Sequence, residues 1–181
     1  MYARGVYHVA GHASDDRSLF IDDIDRHFFL NHLAETAALL GLRVVSYVLM
    51  TNHHHLLIET PDGRIASALR RLHGGYARAY NIRHKRTAHL FRAHPLARRI
   101  EDSDDLVGTD RYLAWNPVEA GLAPAPFDWF WSSARAHAGL AEPRFPLHDA
   151  PLRGAYENPP NWRDHYRAYV SGGRDREQFD R

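Results

Sequence analysis

The chain of 181 residues contains no cysteine, which excludes disulfide bonds and thiolate zinc sites. It also lacks any uncharged apolar run near the roughly 18 residues that a membrane span needs, and its first residues lack the apolar stretch of a signal peptide. Hydrophobic residues make up 44% and charged residues 25%, a composition that excludes collagen, coiled coil and extensive disorder. We therefore expect one globular, cytoplasmic protein without a membrane partner.

Acidic residues are missing from one long segment. Between Gly63 and Ile100 there are ten Lys or Arg residues and no Asp or Glu, although the formal net charge of the whole chain is only +1. A segregated basic block of this kind favours a polyanionic partner such as nucleic acid. Four aromatic side chains interleave with these cations and can stack on bases, but core packing is favoured for each of them: Tyr76, Tyr80, Phe91 and His94.

Hydrophobic periodicity predicts the order strand, helix, strand, strand, helix, strand, helix, at about residues 6–9, 22–40, 43–50, 53–59, 64–82, 96–100 and 106–115. The first helix ends at Gly41, and its predicted apolar face consists of Ile24, Phe28, Leu33, Ala37 and Leu40. Asp104 or Asp105 is expected to cap the third helix, and Pro117 to end it. This order predicts an α+β sandwich whose sheet is mainly antiparallel, with helices on one face.

Three consecutive histidines lie in the apolar segment predicted as the third strand. Because side chains alternate along a strand, His53 and His55 share one face and His54 points to the other. Their Cα atoms are about 6.6 Å apart at the usual rise, so both imidazoles can reach one metal ion. Glu59 shares that face but lies about 13 Å beyond His55. The pair is therefore either a metal site or two satisfied imidazoles on a sheet.

Tyr112 and Asn116 share one face of the third predicted helix if that helix persists to Asn116. A tyrosine hydroxyl is protonated at neutral pH, so it attacks phosphorus only where an electrophile is activated beside it. The amide oxygen of Asn116 can join two imidazoles in a mixed ligand set that Mg²⁺ or Mn²⁺ accepts, whereas a structural zinc site requires a fourth strong ligand. The alternative is a half-buried helix tyrosine followed by an asparagine cap.

Six separated motifs occur in one fixed order along the chain: YHV at 7–9, YVLMTNHHHLLIE at 47–59, YARAYN at 76–81, HLF at 89–91, RY at 111–112 with NPVEAGL at 116–122, and WSS at 131–133. This series resembles the single-tyrosine HUH transposases of the IS200-like superfamily. Within that superfamily it is most similar to the REP-associated tyrosine transposases. The resemblance spans about residues 6–138.

The resemblance implies a ferredoxin-like fold and a catalytic domain at 1–140. The rest of the chain, 141–181, is expected to be a Pro-rich tail, in which the sequence pattern predicts a short helix at about 161–170. It implies His53, His55 and Asn116 as ligands of Mg²⁺ or Mn²⁺, and Tyr112 as the nucleophile that cleaves and rejoins single-stranded DNA through a 5′-phosphotyrosine link. The implied partner is single-stranded or hairpin DNA, held by basic residues of the acid-free segment: Arg70, Arg71, Arg78, Arg83, Lys85, Arg86 and Arg92. The resemblance also implies a bacterial protein that joins the nucleoid on binding DNA, either as a monomer or as a homodimer.

The chain departs from the family pattern in two places. At 10–14 it reads Ala-Gly-His-Ala-Ser where a threonine and Arg-Gly-Asn are usual, and at 92–96 two usual cations are missing. These changes bear on substrate choice more than on the catalytic set. Two alternatives stay open: a domesticated hairpin-DNA-binding protein with little or no cleavage activity, and a metal-dependent hydrolase of a small phosphoester, in which Tyr112→Phe leaves activity intact.

Overall fold

The computed structural model describes residues 2–14, 17–92, 95–157 and 159–172. The predicted order of elements is confirmed through the third long helix. The elements are β1 (Gly5–His12), α1 (Asp23–Leu40), β2 (Arg43–Leu49), β3 (His53–Thr60), α2 (Ile65–Arg83), β4 (Leu96–Arg99), α3 (Ser103–Glu119), α4 (Ala134–His137), α5 (Ala150–Ala155) and α6 (Trp162–Ser171).

The four strands form one antiparallel sheet in the order β2-β3-β1-β4. Each of the two β-α-β units, β1-α1-β2 and β3-α2-β4, leaves room for a strand of the other unit between its own two strands. This arrangement is ferredoxin-like and confirms the predicted α+β class. Strand β1 is longer than predicted, because Gly11 and His12, which were expected in a loop, pair with His54 and His53 of β3.

Helices α1 and α2 cover one face of the sheet. The carboxylate of Asp22 accepts a hydrogen bond from the backbone N–H of Asp25 and so begins α1, while Gly41, with a φ of 66°, ends it. The expected core packing of Tyr76 and Tyr80 is confirmed, since both side chains are buried and their hydroxyls donate to backbone carbonyls of the segment before α1. Both tyrosines therefore belong to the core.

The predicted apolar face of α1 is wrong in its first half. Ile24 is 62% exposed and Phe28 is 44% exposed, whereas Phe29 is fully buried. The helix turns Asp25 inward instead, where its carboxylate lies 2.5 Å from the guanidinium of Arg83 on α2. The ion pair with Arg83 compensates the cost of burying this charge. Helix α1 therefore turns Asp25 and Phe29 toward the sheet, and the residues one position earlier, Ile24 and Phe28, stay exposed.

Helix α3 lies on the opposite face of the sheet. The expectation that helices cover one face therefore holds for α1 and α2 only, and α3 forms a second helical layer. Val48, Leu57 and Leu113 pack together there, and α5 contributes Leu152. Pairing between β2 and β3 is irregular at residues 44–46. This irregularity brings Ser46 to the same side of β2 as Val45, where its hydroxyl meets Asp110 of α3.

Helix α3 is longer at both ends than predicted. Asp102, rather than Asp104 or Asp105, accepts the capping hydrogen bond, from the backbone N–H of Asp105. At the other end the helix continues through Pro117 to Glu119. A proline removes one backbone donor, a loss that is tolerated close to a helix end because few hydrogen bonds follow it. The condition that the helix reaches Asn116 is met.

The C-terminal part packs against α3. The helix predicted at about 161–170 is confirmed as α6, while the short helices α4 and α5 were not predicted. Ala114 of α3 shares an apolar cluster with Trp162, Tyr166 and Val170 of α6. The last ten residues carry no apolar pattern, so the sequence predicts that they fray. Nine of them, 173–181, lie outside the described residues. Across the part of the chain that the structure describes, no helix is long and apolar enough to cross a membrane.

Candidate active site

The alternation of histidines along β3 is confirmed. His54 points toward α1 and α2, where it is completely buried and its Nε2 lies 2.9 Å from Nε2 of His73. His53 and His55 point toward α3, and their ring centroids are 5.0 Å apart. Glu59 is remote from this pair and instead contacts Arg43 and His148 at 3.1 and 3.0 Å.

Helix α3 brings the other two predicted residues to the same place. The Tyr112 ring centroid lies 5.4 Å from that of His55, and Oδ1 of Asn116 lies 3.4 Å from Nε2 of His53. The amide nitrogen of Asn116 donates to the backbone carbonyl of Tyr112 at 3.0 Å, one helical turn earlier. That bond directs the amide oxygen toward His53. The geometry therefore assembles His53, His55, Tyr112 and Asn116 within one chain.

Two histidines of β1 complete the cluster and were missed by the sequence analysis. His8 places its Nε2 3.0 Å from Nδ1 of His55, and His12 stacks on His53 with ring centroids 5.0 Å apart. Their spacing of four residues on a strand gives both the same face. This spacing is visible in the sequence, but it does not show that β1 pairs with β3. That pairing joins residues more than 40 positions apart, so the local sequence pattern could not reveal it.

Hydrogen bonding favours one tautomer of the two central imidazoles. Each ring nitrogen of His53 lies near an amide oxygen, Nδ1 2.8 Å from Oδ1 of Asn52 and Nε2 3.4 Å from Oδ1 of Asn116. An amide oxygen only accepts, so the shorter contact places the proton of the neutral ring on Nδ1 and leaves the Nε2 lone pair on the Asn116 side of the site. The contact between Nδ1 of His55 and Nε2 of His8 allows the same tautomer in His55, with Nδ1 as the donor.

Burial keeps these imidazoles uncharged. Desolvation lowers the pKa of His53 and places the pKa of His55 well below its usual value, and a neighbouring histidine charge adds to the effect in each case. Burial, followed by the nearby charge of Arg98, lowers the pKa of His8 to about 4. The cluster is therefore neutral at pH 7, which is the state in which imidazole binds a metal ion.

The donor set fits a hard divalent cation. Within residues 2–14, 17–92, 95–157 and 159–172, no group of three or more His, Cys, Asp or Glu side chains is arranged to hold a metal ion. Beside His53 and His55, the oxygen donor that lies nearest is the neutral amide of Asn116, whose Oδ1 is 3.4 Å from Nε2 of His53. Two imidazoles and one amide leave positions open for substrate oxygens and water, as Mg²⁺ and Mn²⁺ prefer.

A groove of about 980 Å³ runs between α2 and the segment that follows it. Three of the predicted DNA-contacting cations line it: Arg70, Arg78 and Arg92. Its wall also contains stacked rings, since Phe91 lies parallel to His73 with centroids 4.2 Å apart. The groove therefore combines positive charge with an aromatic surface, the two properties that single-stranded nucleic acid requires.

The other predicted cations are placed differently. Arg71, Lys85 and Arg86 are exposed and do not line the groove. Arg83 forms ion pairs with Asp22 at 2.6 Å and Asp25 at 2.5 Å, which raise its pKa. These two carboxylates neutralise its charge, so Arg83 is not positioned to bind a phosphate. His94, an aromatic candidate, lies outside the described residues.

Arg92 connects the groove with the histidine cluster. Its backbone N–H donates to the carbonyl of His12 at 2.9 Å, which extends the pairing of β1 beyond β4. Burial lowers the pKa of His12, and the charge of Arg92 lowers it further. One residue thus borders both the groove and the face that carries His53 and His55.

Comparison with known proteins identifies the class. Residues 2–99 match the family described as "Transposase IS200 like", so the chain belongs to the IS200-like transposase family. Tyr112 and Asn116 lie beyond the matched residues. No match was found among the curated proteins.

Two solved structures show similarity to this chain. One is a REP-associated tyrosine transposase bound to a REP hairpin, with a TM-score of 0.68 and 15% identity over 82% of this chain and 90% of that chain. It confirms the fold. Another is a candidate transposase from Deinococcus radiodurans R1, with a TM-score of 0.47 and 19% identity over 59% of this chain and 86% of that chain.

Proposed function

We propose that this transposase cleaves and rejoins single-stranded DNA at hairpin-associated sites by metal-dependent transesterification, with Tyr112 as the nucleophile. The observation that carries the proposal is the convergence of Tyr112, His53, His55 and Asn116 on one side of the sheet. Family membership supports the reaction class. The hairpin bound to the structural relative supports the type of substrate.

In the proposed reaction the phenolic oxygen of Tyr112 attacks the scissile phosphorus. A P–O bond to tyrosine forms as the bond to the 3′ oxygen breaks, so the products are a 5′-phosphotyrosine and a 3′-hydroxyl. The phenol proton leaves to solvent and the departing oxygen gains one. A 3′-hydroxyl then attacks the phosphotyrosine, which restores Tyr112 and rejoins the strand without a nucleotide cofactor.

The protein contributes orientation to both steps. His53, His55 and Asn116 would hold the ion, with His8 and Asn52 fixing the two imidazoles in the required tautomer. When bound, Mg²⁺ or Mn²⁺ would polarise the scissile phosphate and neutralise charge on the leaving oxygen. The ring of Tyr112 lies beside His55, so its hydroxyl would be held near a phosphate bound at the ion, without a separate diffusional encounter.

A cleavage assay tests the proposal. Labelled single-stranded DNA hairpins are incubated with Mn²⁺ or Mg²⁺ and resolved on denaturing gels. We expect a slowly migrating, protease-sensitive adduct with the wild type and metal, and none with Tyr112→Phe, His53→Ala or EDTA. His165→Ala is the control variant, because His165 is exposed on α6 and belongs to neither the histidine cluster nor the groove.

The same assay separates the two alternatives. Hairpin binding without an adduct in the wild type indicates the domesticated DNA-binding protein. Phosphoester hydrolysis that survives Tyr112→Phe indicates the small-phosphoester hydrolase. Either result contradicts the proposed transesterase.

We further propose that the groove between α2 and the following segment carries the DNA backbone. Arg78→Gln should weaken binding of single-stranded DNA uniformly across sequences and reduce the magnitude of the salt slope by about one for each phosphate that is no longer neutralised. Arg153→Gln, an exposed arginine on α5, is the matched control. Binding is measured by fluorescence anisotropy over a series of salt concentrations, and an unchanged slope in Arg78→Gln argues against this path.

A further inference from the structure

Helix α3 has two faces with different environments. At about 100° per residue, Tyr112 and Asn116 point one way, while Asp110, Ala114 and the residues beside them lie about 150° around the helix. The first face meets the histidine cluster. The second meets α6. The rotation of α3 about its own axis therefore decides whether Tyr112 reaches the site.

The contacts between α3 and α6 are specific. The indole N–H of Trp115 donates to the carbonyl of Val170 at 2.8 Å. The guanidinium of Arg111 lies 4.6 Å above the ring of Tyr169. Both partners are in the last turn of α6. Each contact is directional, so together they restrict rotation of α3 more than apolar packing alone would.

Three buried residues with polar side chains, Ser46, Asp110 and Tyr166, lie where α3, α6 and the sheet meet. The hydroxyl of Ser46 on β2 donates to the carboxylate of Asp110. Tyr166 of α6 is buried beside the same carboxylate, and burial followed by the charge of Asp110 raises the pKa of its hydroxyl well above the usual value. The hydroxyl of Tyr166 is therefore protonated and neutral, and Asp110, whose charge contributes to the raised pKa, lies two residues before Tyr112 on α3.

We infer that α6 is a positioning element for the nucleophile, in which Tyr166, Tyr169 and Val170 set the rotation of α3 that presents Tyr112 and Asn116 to the histidine pair. The inference rests on the proposed function of Tyr112 and deepens it. It gives the C-terminal segment, which lies beyond the family match, a part in the reaction. Tyr166, Tyr169 and Val170 contact α3, lie outside the groove and act through α3.

Two variants test this role without deleting α6. Trp115→Phe keeps an aromatic ring but removes the N–H that binds Val170, and Tyr166→Ala removes the side chain beside Asp110. His165→Ala, on the exposed side of α6, is the control. The measurements are the rate constant of adduct formation at saturating hairpin DNA, the KM for DNA, and hydrogen exchange of backbone amides at 103–119.

We expect both variants to lose at least about tenfold in the saturating rate constant, because a nucleophile misplaced by ~1 Å can cost about 10²-fold. The KM for DNA should stay unchanged, since the groove lies on α2, and exchange at 103–119 should become faster. His165→Ala should match the wild type. A role in stability alone would leave the rate constant per folded molecule unaltered.

The outcomes separate this inference from the proposed function. If the wild type forms the adduct and Trp115→Phe and Tyr166→Ala form it with the same rate constant, the positioning role of α6 is overturned. The proposed role of Tyr112 as the nucleophile is then unaffected. No adduct in the wild type overturns the proposed function. In that case unchanged exchange at 103–119 in both variants also overturns the inference, because α6 then does not hold α3.

Discussion

Four histidines lie together on one face of two neighbouring strands, at the candidate active site. His53 and His55 are presented by β3, and His8 and His12 by β1. Burial keeps the central pair neutral, and their contacts with His8 and Asn52 suit the tautomer in which Nδ1 carries the proton and Nε2 is unprotonated. Imidazoles whose tautomers are fixed in advance bind a cation without a cost for reorientation.

The position of His8 behind His55 leads to a prediction at this scale. His8→Leu removes the partner of Nδ1 of His55 and should weaken Mn²⁺ binding about 10–100-fold, the usual effect of losing a group that orients a ligand. His8→Gln should lose less, because its amide can still accept a hydrogen bond. Isothermal titration calorimetry with Mn²⁺ measures both, with His89→Gln as control. Wild-type affinity in His8→Leu would contradict the assigned role.

At the scale of elements, β1 and α2 approach β3 so closely that one position has no room for a side chain. A Cβ at Gly11 would lie 2.4 Å from Nε2 of His54 and 3.0 Å from His73. The imidazole pair occupies the space that a side chain at residue 11 would take. Gly11 is therefore required by packing, in contrast to Gly74 in α2, where an added Cβ would meet nothing within 4 Å.

This contrast predicts opposite effects of the same substitution. Gly11→Ala should reduce the free energy of unfolding by about 1–3 kcal/mol, the range for an overpacked core. Gly74→Ala should increase it by about 0.5–1 kcal/mol, because alanine restricts the unfolded chain and suits a helix interior. Urea unfolding followed by circular dichroism measures both. Equal stabilities for the two variants would refute the packing assignment at Gly11.

Element boundaries show where sequence patterns are sufficient and where they are not. The start and end of α1 were predictable, because Asp22 and Gly41 act on adjacent backbone groups. The buried face of α1 was not, since Asp25 turns inward where Arg83, the last residue of α2, and His84, which follows it, lie close enough to pair with its carboxylate. Similarly, Pro117 was expected to end α3, but its place near the end of the helix allows the helix to continue.

At the scale of the whole molecule, several buried histidines make stability depend on pH. Burial lowers the pKa of His73 to about 4, and burial also lowers that of His137. An unfolded chain binds these protons near pH 6.5. Between pH 6.5 and 4 the unfolded state therefore holds protons that the folded state does not, and the free energy of unfolding falls as the pH falls.

The expected loss is on the order of 3 kcal/mol for His73 by pH 4, with most of it below pH 6. Urea unfolding in EDTA at pH 7, 5.5 and 4.5 measures it, since EDTA removes the effect of any metal on the histidine cluster. The exposed residue His89 provides the control, and His89→Ala should leave the profile unchanged. A midpoint that is independent of pH over this range would contradict the prediction.

Sequence patterns were enough to predict the order of elements, the alternation of histidines on β3 and the shared helical face of Tyr112 and Asn116. Each of these follows from a local repeat, of two residues in a strand or 3.6 in a helix. The tertiary structure alone decided that His8 and His12 join the site, that Arg83 pairs with acids while Arg92 lines the groove, and that α6 lies behind α3. These features bring together residues far apart in the chain, and their positions depend on strand register and helix rotation, which only packing of the complete core sets.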